Sequence, residues 1–163
     1  MLLLLCLLLP LTGCGNVESS AAQGYRAAGV AEVTGKVTFD GEPLAYAQIQ
    51  FSESEKLGSS YCYGVTDANG KYRMNVDSRR TGSLPGDKVV RIWTTLRAVG
   101  INELMQGEHR TEEIIPLEYN RASTLRITVE PNKRQVHNFD LKSGGKVDPK
   151  GAPVSDEGSG GGE

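Results

Sequence analysis

The sequence predicts an all-β protein, an antiparallel β-sandwich of seven short strands. Three observations carry that expectation. Apolar and polar residues alternate with period two in run after run. Gly, Pro, Asn and Asp separate the runs, many of them at intervals of roughly 8–12 residues. Helical patterning is confined to one stretch, 96–118, and even there it is broken. The net charge of −2 comes from interspersed acidic and basic residues, with no basic block of the kind that binds nucleic acid.

The chain opens on the apolar run Met1-Leu2-Leu3-Leu4-Leu5 and its continuation. At about twelve residues it is too short for a bilayer-spanning helix, which takes roughly 20. It has the form of a secretory h-region closed by small residues. Leu11-Thr12-Gly13-Cys14 resembles the lipobox of bacterial lipoproteins, in which the cysteine sulfur is lipidated and the chain is cut just before it. The resemblance implies that residues 1–13 are a signal peptide. Cys14 would then begin the mature chain, carrying diacylglycerol and an N-acyl group such as palmitate, and anchor it on the periplasmic or cell-surface face of the envelope. No Lys or Arg precedes the apolar run, so the true start is expected upstream of Met1. Cys6 lies inside the run without a preceding Gly and is assigned no role.

Residues 14–31 show no apolar periodicity and read as a flexible tether, with a reach of roughly 20–25 Å. A first strand places Val33, Gly35, Val37 and Phe39 on one face and Thr34, Lys36 and Thr38 on the other. Asp40-Gly41-Glu42-Pro43 supplies turn chemistry. A second strand points Ala47, Ile49 and Phe51 inward and Gln48 and Gln50 outward, and a polar loop follows over 52–58. Tyr61, Tyr63 and Val65 form the third run, read as inward, with Cys62 opposite. Thr66-Asp67-Ala68-Asn69-Gly70-Lys71-Tyr72 is a tight hairpin turn that Asp67 caps, and Gly70 accepts left-handed backbone.

The returning strand is Tyr72, Met74 and Val76, and a polar loop with Arg79 and Arg80 follows. Lys88 to Thr94 is the most β-prone run, with Val90 and Ile92 on one face and Val89 and Trp93 on the other. Across 96–118 a long excursion is expected, with at most a short helix, since Gly100 and Gly107 interrupt a longer one. Glu112 and Glu113 read as a solvated face of it. Leu125, Ile127 and Val129 alternate with Arg126 and Thr128 in a sixth strand, and Pro131-Asn132 turns the chain. The last strand is 136–141, with Phe139 and Leu141 inward. Residues 143–163 are Gly, Ser, Pro and charge, and a disordered tail is expected.

Val33-Thr34-Gly35-Lys36-Val37 with Gly41-Glu42-Pro43-Leu44-Ala45-Tyr46-Ala47 resembles the opening of carboxypeptidase regulatory-like (transthyretin-like) domains. Thr66-Asp67-Ala68-Asn69-Gly70-Lys71-Tyr72 resembles that family's second motif. Leu84-Pro85-Gly86-Asp87-Lys88-Val89-Val90 and Ile115-Pro116-Leu117-Glu118-Tyr119-Asn120 are similar to a group of planctomycete lipoproteins. Lys88 departs from their Tyr or His. The resemblance implies a Greek-key sandwich over residues 32–142. Within it Gly35, Gly41, Pro43, Asp67, Gly70 and Tyr72 are structural turn and strand residues rather than chemical ones.

Candidate chemistry is sparse. His109 falls in the excursion and His137 near the start of the last strand, where it reads as a satisfied strand-end histidine. No Gly-x-Ser-x-Gly turn offers a nucleophile. Transthyretin-like hydrolases of 5-hydroxyisourate end in Tyr-Arg-Gly-Ser, whereas this chain ends Gly-Gly-Gly-Glu, so that activity is not expected. Asp67 and Asn69 open as some calcium loops do, but the twelfth position is Ser78 rather than Glu. Cys62 reads as a small buried hydrophobe, with no disulfide partner once Cys14 is lipidated. Tyr46, Tyr61, Tyr63, Tyr72, Trp93 and Tyr119 read as core rather than as a sugar platform.

The expected function is that of a non-enzymatic, lipid-anchored envelope protein with a structural or protein-binding role. The alternative is a carbohydrate- or peptide-binding accessory domain that uses loops 53–60, 77–86 and 96–118. The expected partners are the membrane, through the lipid, and an envelope protein or glycan. No nucleic acid, metal or cofactor is expected, and the chain is expected to be a monomer.

Overall fold

Hydrogen-bonding of the β1 backbone on both edges organises the first of two sheets. The computed structural model describes residues 24, 28–56, 61–94 and 112–149. Strand β1 (Glu32–Phe39) pairs with β2 (Glu42–Pro43) and β5 (Lys71–Arg73) in antiparallel fashion, and with β10 (Arg134–Val136) and β11 (Phe139–Leu141) in parallel. The second sheet runs β7 (Arg80–Thr81), β6 (Asn75–Asp77), β4 (Tyr61–Val65), β3 (Gln48–Ser52), β8 (Gly86–Trp93) and β9 (Arg126–Val129). Every pairing in it is antiparallel. The chain is therefore all-β, with two mostly antiparallel sheets and a core of both sheets' residues, as in a β-sandwich.

The core holds Val33 and Val37 from β1, Ile49 and Phe51 from β3, and Val90 and Ile92 from β8, with Met74, Ile115, Phe139 and Leu141. All but Ile115, which ends the excursion, are residues that period-two reading selects, because one buried face fixes the register of each strand.

Eleven strand segments stand among the described residues where seven were expected. The returning strand from Tyr72 is cut at Met74: β5 belongs to the first sheet and β6 to the second. Met74 makes the corner, its N–H donating to Val33 O and its carbonyl accepting from Gly82 N. The last strand is interrupted at His137–Asn138, yet its register continues, since Thr34 faces Val136 and Val37 faces Phe139. Its parallel pairing with β1 was not expected, because alternation reports faces and is silent on direction.

Strand β4 presents the face opposite to the one expected. Cys62 and Gly64 point at the core, opposite Phe51 and Ile49, while Tyr61, Tyr63 and Val65 lie outside and half-buried. The reason is space. A Cβ at Gly64 would meet Arg73 O at 2.8 Å and Met74 Sδ at 3.2 Å, so the inward position beneath the corner takes no side chain.

The ordered body also extends past both expected borders. Ala31 is buried and exchanges backbone hydrogen bonds with Ser83. Beyond Leu141, Lys146 O accepts from Leu117 N, and Val147 bridges Pro116. Leu117–Tyr119 is a single 3-10 turn, and residues 96–111 of the excursion lie outside the described residues. The expected signal peptide 1–13, most of the tether and residues 150–163 of the tail lie outside them as well.

Because Met74 is fully buried where the sheets exchange the chain, Met74→Ala should lose about 2–5 kcal/mol in urea unfolding. A loss below about 1 kcal/mol would mean that the corner collapses without cost.

Candidate functional site

The motif residues converge on the middle of β1. A Cβ on Gly35 would lie 1.8 Å from His137 O and 2.8 Å from Tyr72 Cε1. The missing side chain lets the Tyr72 ring cross the strand, and its hydroxyl donates to His137 O at 2.7 Å. Tyr72 also stacks on Phe139, with ring centroids 6.4 Å apart. Burial pushes its phenol well above the ordinary value. His137 N–H donates to Thr34 O, and Asn138 Oδ1 accepts from Lys36 N at 2.9 Å, so the interrupted strand stays bonded to β1.

The turns surround this crossing. Asp67 Oδ1 accepts from Asn69 N at 2.8 Å and Lys71 N at 2.9 Å. Gly70 has φ +73, and its carbonyl accepts from Val37 N at 2.8 Å, tying the turn to β1. Asp40 and Gly41, with φ 53 and 88, form the two-residue hairpin link between β1 and β2. Pro43 stands on β2 opposite Thr38. Asp67 thus uses its oxygen on backbone N–H groups. Among the described residues no three His, Cys, Asp or Glu side chains gather as a metal-ligand set.

His137 differs from its expected, satisfied state. Its ring meets Phe51 edge to face at 6.5 Å, and its Nε2 is buried with no partner among the described residues. Burial therefore holds the imidazole below its ordinary 6.5. His109 lies outside the described residues.

The outer face of the second sheet, expected to be solvated, is closed. Gln48, Gln50 and Ser52 on β3 are buried, as are Val89, Arg91 and Trp93 on β8. Arg91 donates to Ser54 O and to Glu55 O, the latter at 2.7 Å. The Arg121 guanidinium lies 5.6 Å from the centre of the Trp93 ring, and Arg121 pairs with Asp148. Glu113, expected on a solvated face, is buried instead. Its carboxylate accepts from Thr94 N, Thr94 Oγ1, Ile114 N and Ile115 N, pinning the end of the excursion to the end of β8.

Two cavities flank these features. One of about 150 Å³ is lined by Phe51, Glu53, Tyr61, Cys62, Leu84 and Lys88. Lys88 is core-facing and almost fully buried, donating to Glu53 Oε1 at 2.8 Å and to Pro85 O at 3.0 Å. The other, an open groove of about 530 Å³, runs over the outer face of the first sheet past Lys36, Lys71, Arg73 and Val136. Of the loops expected to bind, 53–56 supplies acceptors to Arg91 and 77–81 is the β6–β7 hairpin, while 57–60 and 95–111 lie outside the described residues. Sequence reading missed the buried roles of Lys88, Arg91 and Glu113. For Lys88 and Arg91 the hint was that charged residues sit inside the most β-prone run; Glu113 offered none.

No protein-family model matches the chain, and no curated protein matches it. Among solved structures, the chain is similar to a DUF3823 family protein from Parabacteroides merdae, with 11% identity and a TM-score of 0.35. The similarity covers 69% of this chain and 46% of that one, so the chain spans about half the neighbour's length.

Tyr72→Phe removes the donor to the His137 carbonyl, and urea unfolding should show a loss of about 1–3 kcal/mol. An unchanged midpoint would show that water replaces the hydroxyl. His137 generates a pH dependence. Its folded pKa is lowered, so the unfolded chain binds the proton more readily. Its contribution is complete above the unfolded value of 6.5 and is lost as pH falls below it. Chemical denaturation between pH 7.5 and about 5 should show this fall, and His137→Gln should flatten it. Asp40 and Asp140, both held below 3.8, act only at lower pH.

Proposed function

We propose that this chain is a lipid-anchored, non-enzymatic envelope protein of the planctomycete lipoprotein kind, whose carboxypeptidase regulatory-like, Greek-key domain holds a binding surface near a membrane. One observation carries the reading: Leu11-Thr12-Gly13-Cys14 stands a short stretch before a β body whose first pairing is at Ala31. The use of Gly35, Asp67, Gly70 and Tyr72 on backbone geometry supports a scaffold role, since each motif group is engaged in holding strands together. A lipid on Cys14 would confine the domain to the envelope and raise its local concentration toward a partner there.

The test is metabolic labelling of the full chain with an alkyne fatty acid in a bacterial host. Label on the wild type, its loss in Cys14→Ser and release of that variant from the membrane fraction are the expected results. Equal labelling of both forms, or labelling of neither, would overturn anchoring at Cys14.

A further inference from the structure

Native cores hold few voids larger than a water molecule, yet the cavity beside Lys88 measures about 150 Å³. An apolar cavity of that volume stays dry and holds a molecule the size of benzene. Its walls are Phe51, Tyr61, Cys62, Val76 and Leu84, and its polar end is Lys88 with Glu53. The space follows from the strand register. Phe51 on β3 stands opposite Cys62 on β4, and a thiol in place of a larger apolar side chain leaves room beside the ring. Access follows from the end residues: the Glu53 side chain is 65% exposed and Tyr61 is half-buried, so the cavity reaches the surface there.

The polar end sets the chemistry. The Lys88 side chain is 1% exposed and donates to Glu53 Oε1 at 2.8 Å and to Pro85 O at 3.0 Å. An ammonium carries three N–H groups, and the third meets no acceptor among the described residues. Glu53 answers the charge of Lys88, so an anion entering here would face a carboxylate already in place. The second oxygen of Glu53, Oε2, accepts no hydrogen bond among the described residues. One donor and one acceptor therefore stand together, on a single ion pair, at the end of an apolar space.

We propose that this cavity binds a small neutral molecule with an apolar body and one hydroxyl, of the size and kind of phenol. A hydroxyl both accepts and donates, so it takes the free N–H of Lys88 and gives its own proton to Glu53 Oε2. A hydrocarbon does neither, and a carboxylate cannot donate. The ring fills the apolar part against Phe51 and Leu84, where an edge-to-face contact with Phe51 is open to it. The proposal does not depend on anchoring at Cys14.

The full chain, with its valine and leucine methyl groups labelled, is titrated by NMR with phenol, toluene and sodium benzoate up to about 5 mM. Toluene has the shape of phenol without the hydroxyl, and benzoate adds a charge. The expected result is a saturable shift of the Val76 and Leu84 methyl signals with phenol, at a Kd of about 1 mM. Toluene should bind roughly tenfold more weakly, because it leaves the polar end unpaired, and benzoate should give no saturable shift. Cys62→Met, which fills the cavity, should abolish the phenol shift while the urea midpoint holds or rises. No saturable shift of these methyl signals with phenol overturns the site. Toluene or benzoate binding as tightly as phenol overturns the ligand class, and this comparison in the wild type decides even where the variant does not fold. Unchanged phenol affinity in folded Cys62→Met overturns the site as well.

Discussion

The contact between the Tyr72 hydroxyl and the His137 carbonyl, made across a residue without a side chain, is the constraint on which the first sheet depends. A buried carbonyl off the regular ladder must find a donor, and Tyr72 supplies one from the opposite edge of β1. That reach is open only because Gly35 has no Cβ. Three strands are thereby fastened at one point: β1 through Gly35, β5 through Tyr72, and the β10–β11 line through His137. The glycine's strand-weakening tendency is offset by a cross-strand tie that a larger residue would block.

From that point the chain leads into the second sheet within two residues. Met74 passes from β5 to β6, so the tie in one sheet positions the edge of the other. The same corner explains why β4 turns its small residues, Cys62 and Gly64, inward and leaves its tyrosines outside. Packing volume outweighed hydrophobicity here: a tyrosine can keep its hydroxyl wet at the surface, whereas at Gly64 even a Cβ would press on Arg73 O and Met74 Sδ.

The second sheet is closed on both faces, which is unusual for an antiparallel sheet and accounts for its buried polar groups. Some of these are well served. Glu113 gathers backbone donors at the end of β8, and Lys88 has Glu53 and Pro85 O. The row of Gln48, Arg91 and Trp93 is the exception, since one donor of each is buried without a partner among the described residues.

Much of this was legible in the sequence, and the division follows the range of the interactions. Alternation alone fixed the inward faces of Val33 and Val37, Ile49 and Phe51, Val90 and Ile92, and Phe139 and Leu141, because one buried face leaves a period-two trace. Asp40-Gly41, Asn69-Gly70 and Pro131-Asn132 announced turns, because positive φ is a local preference, seen at Asp40, Gly41, Gly70 and Asn132. The sheet exchange at Met74, the parallel run of β10 and β11 beside β1, and the burial of Arg91 and Glu113 left no such trace. Each depends on which distant segment lies alongside: residues near 137 beside 35, and 113 beside 94. Local chemistry determined the elements, and long-range packing decided their partners and which polar groups lost their water.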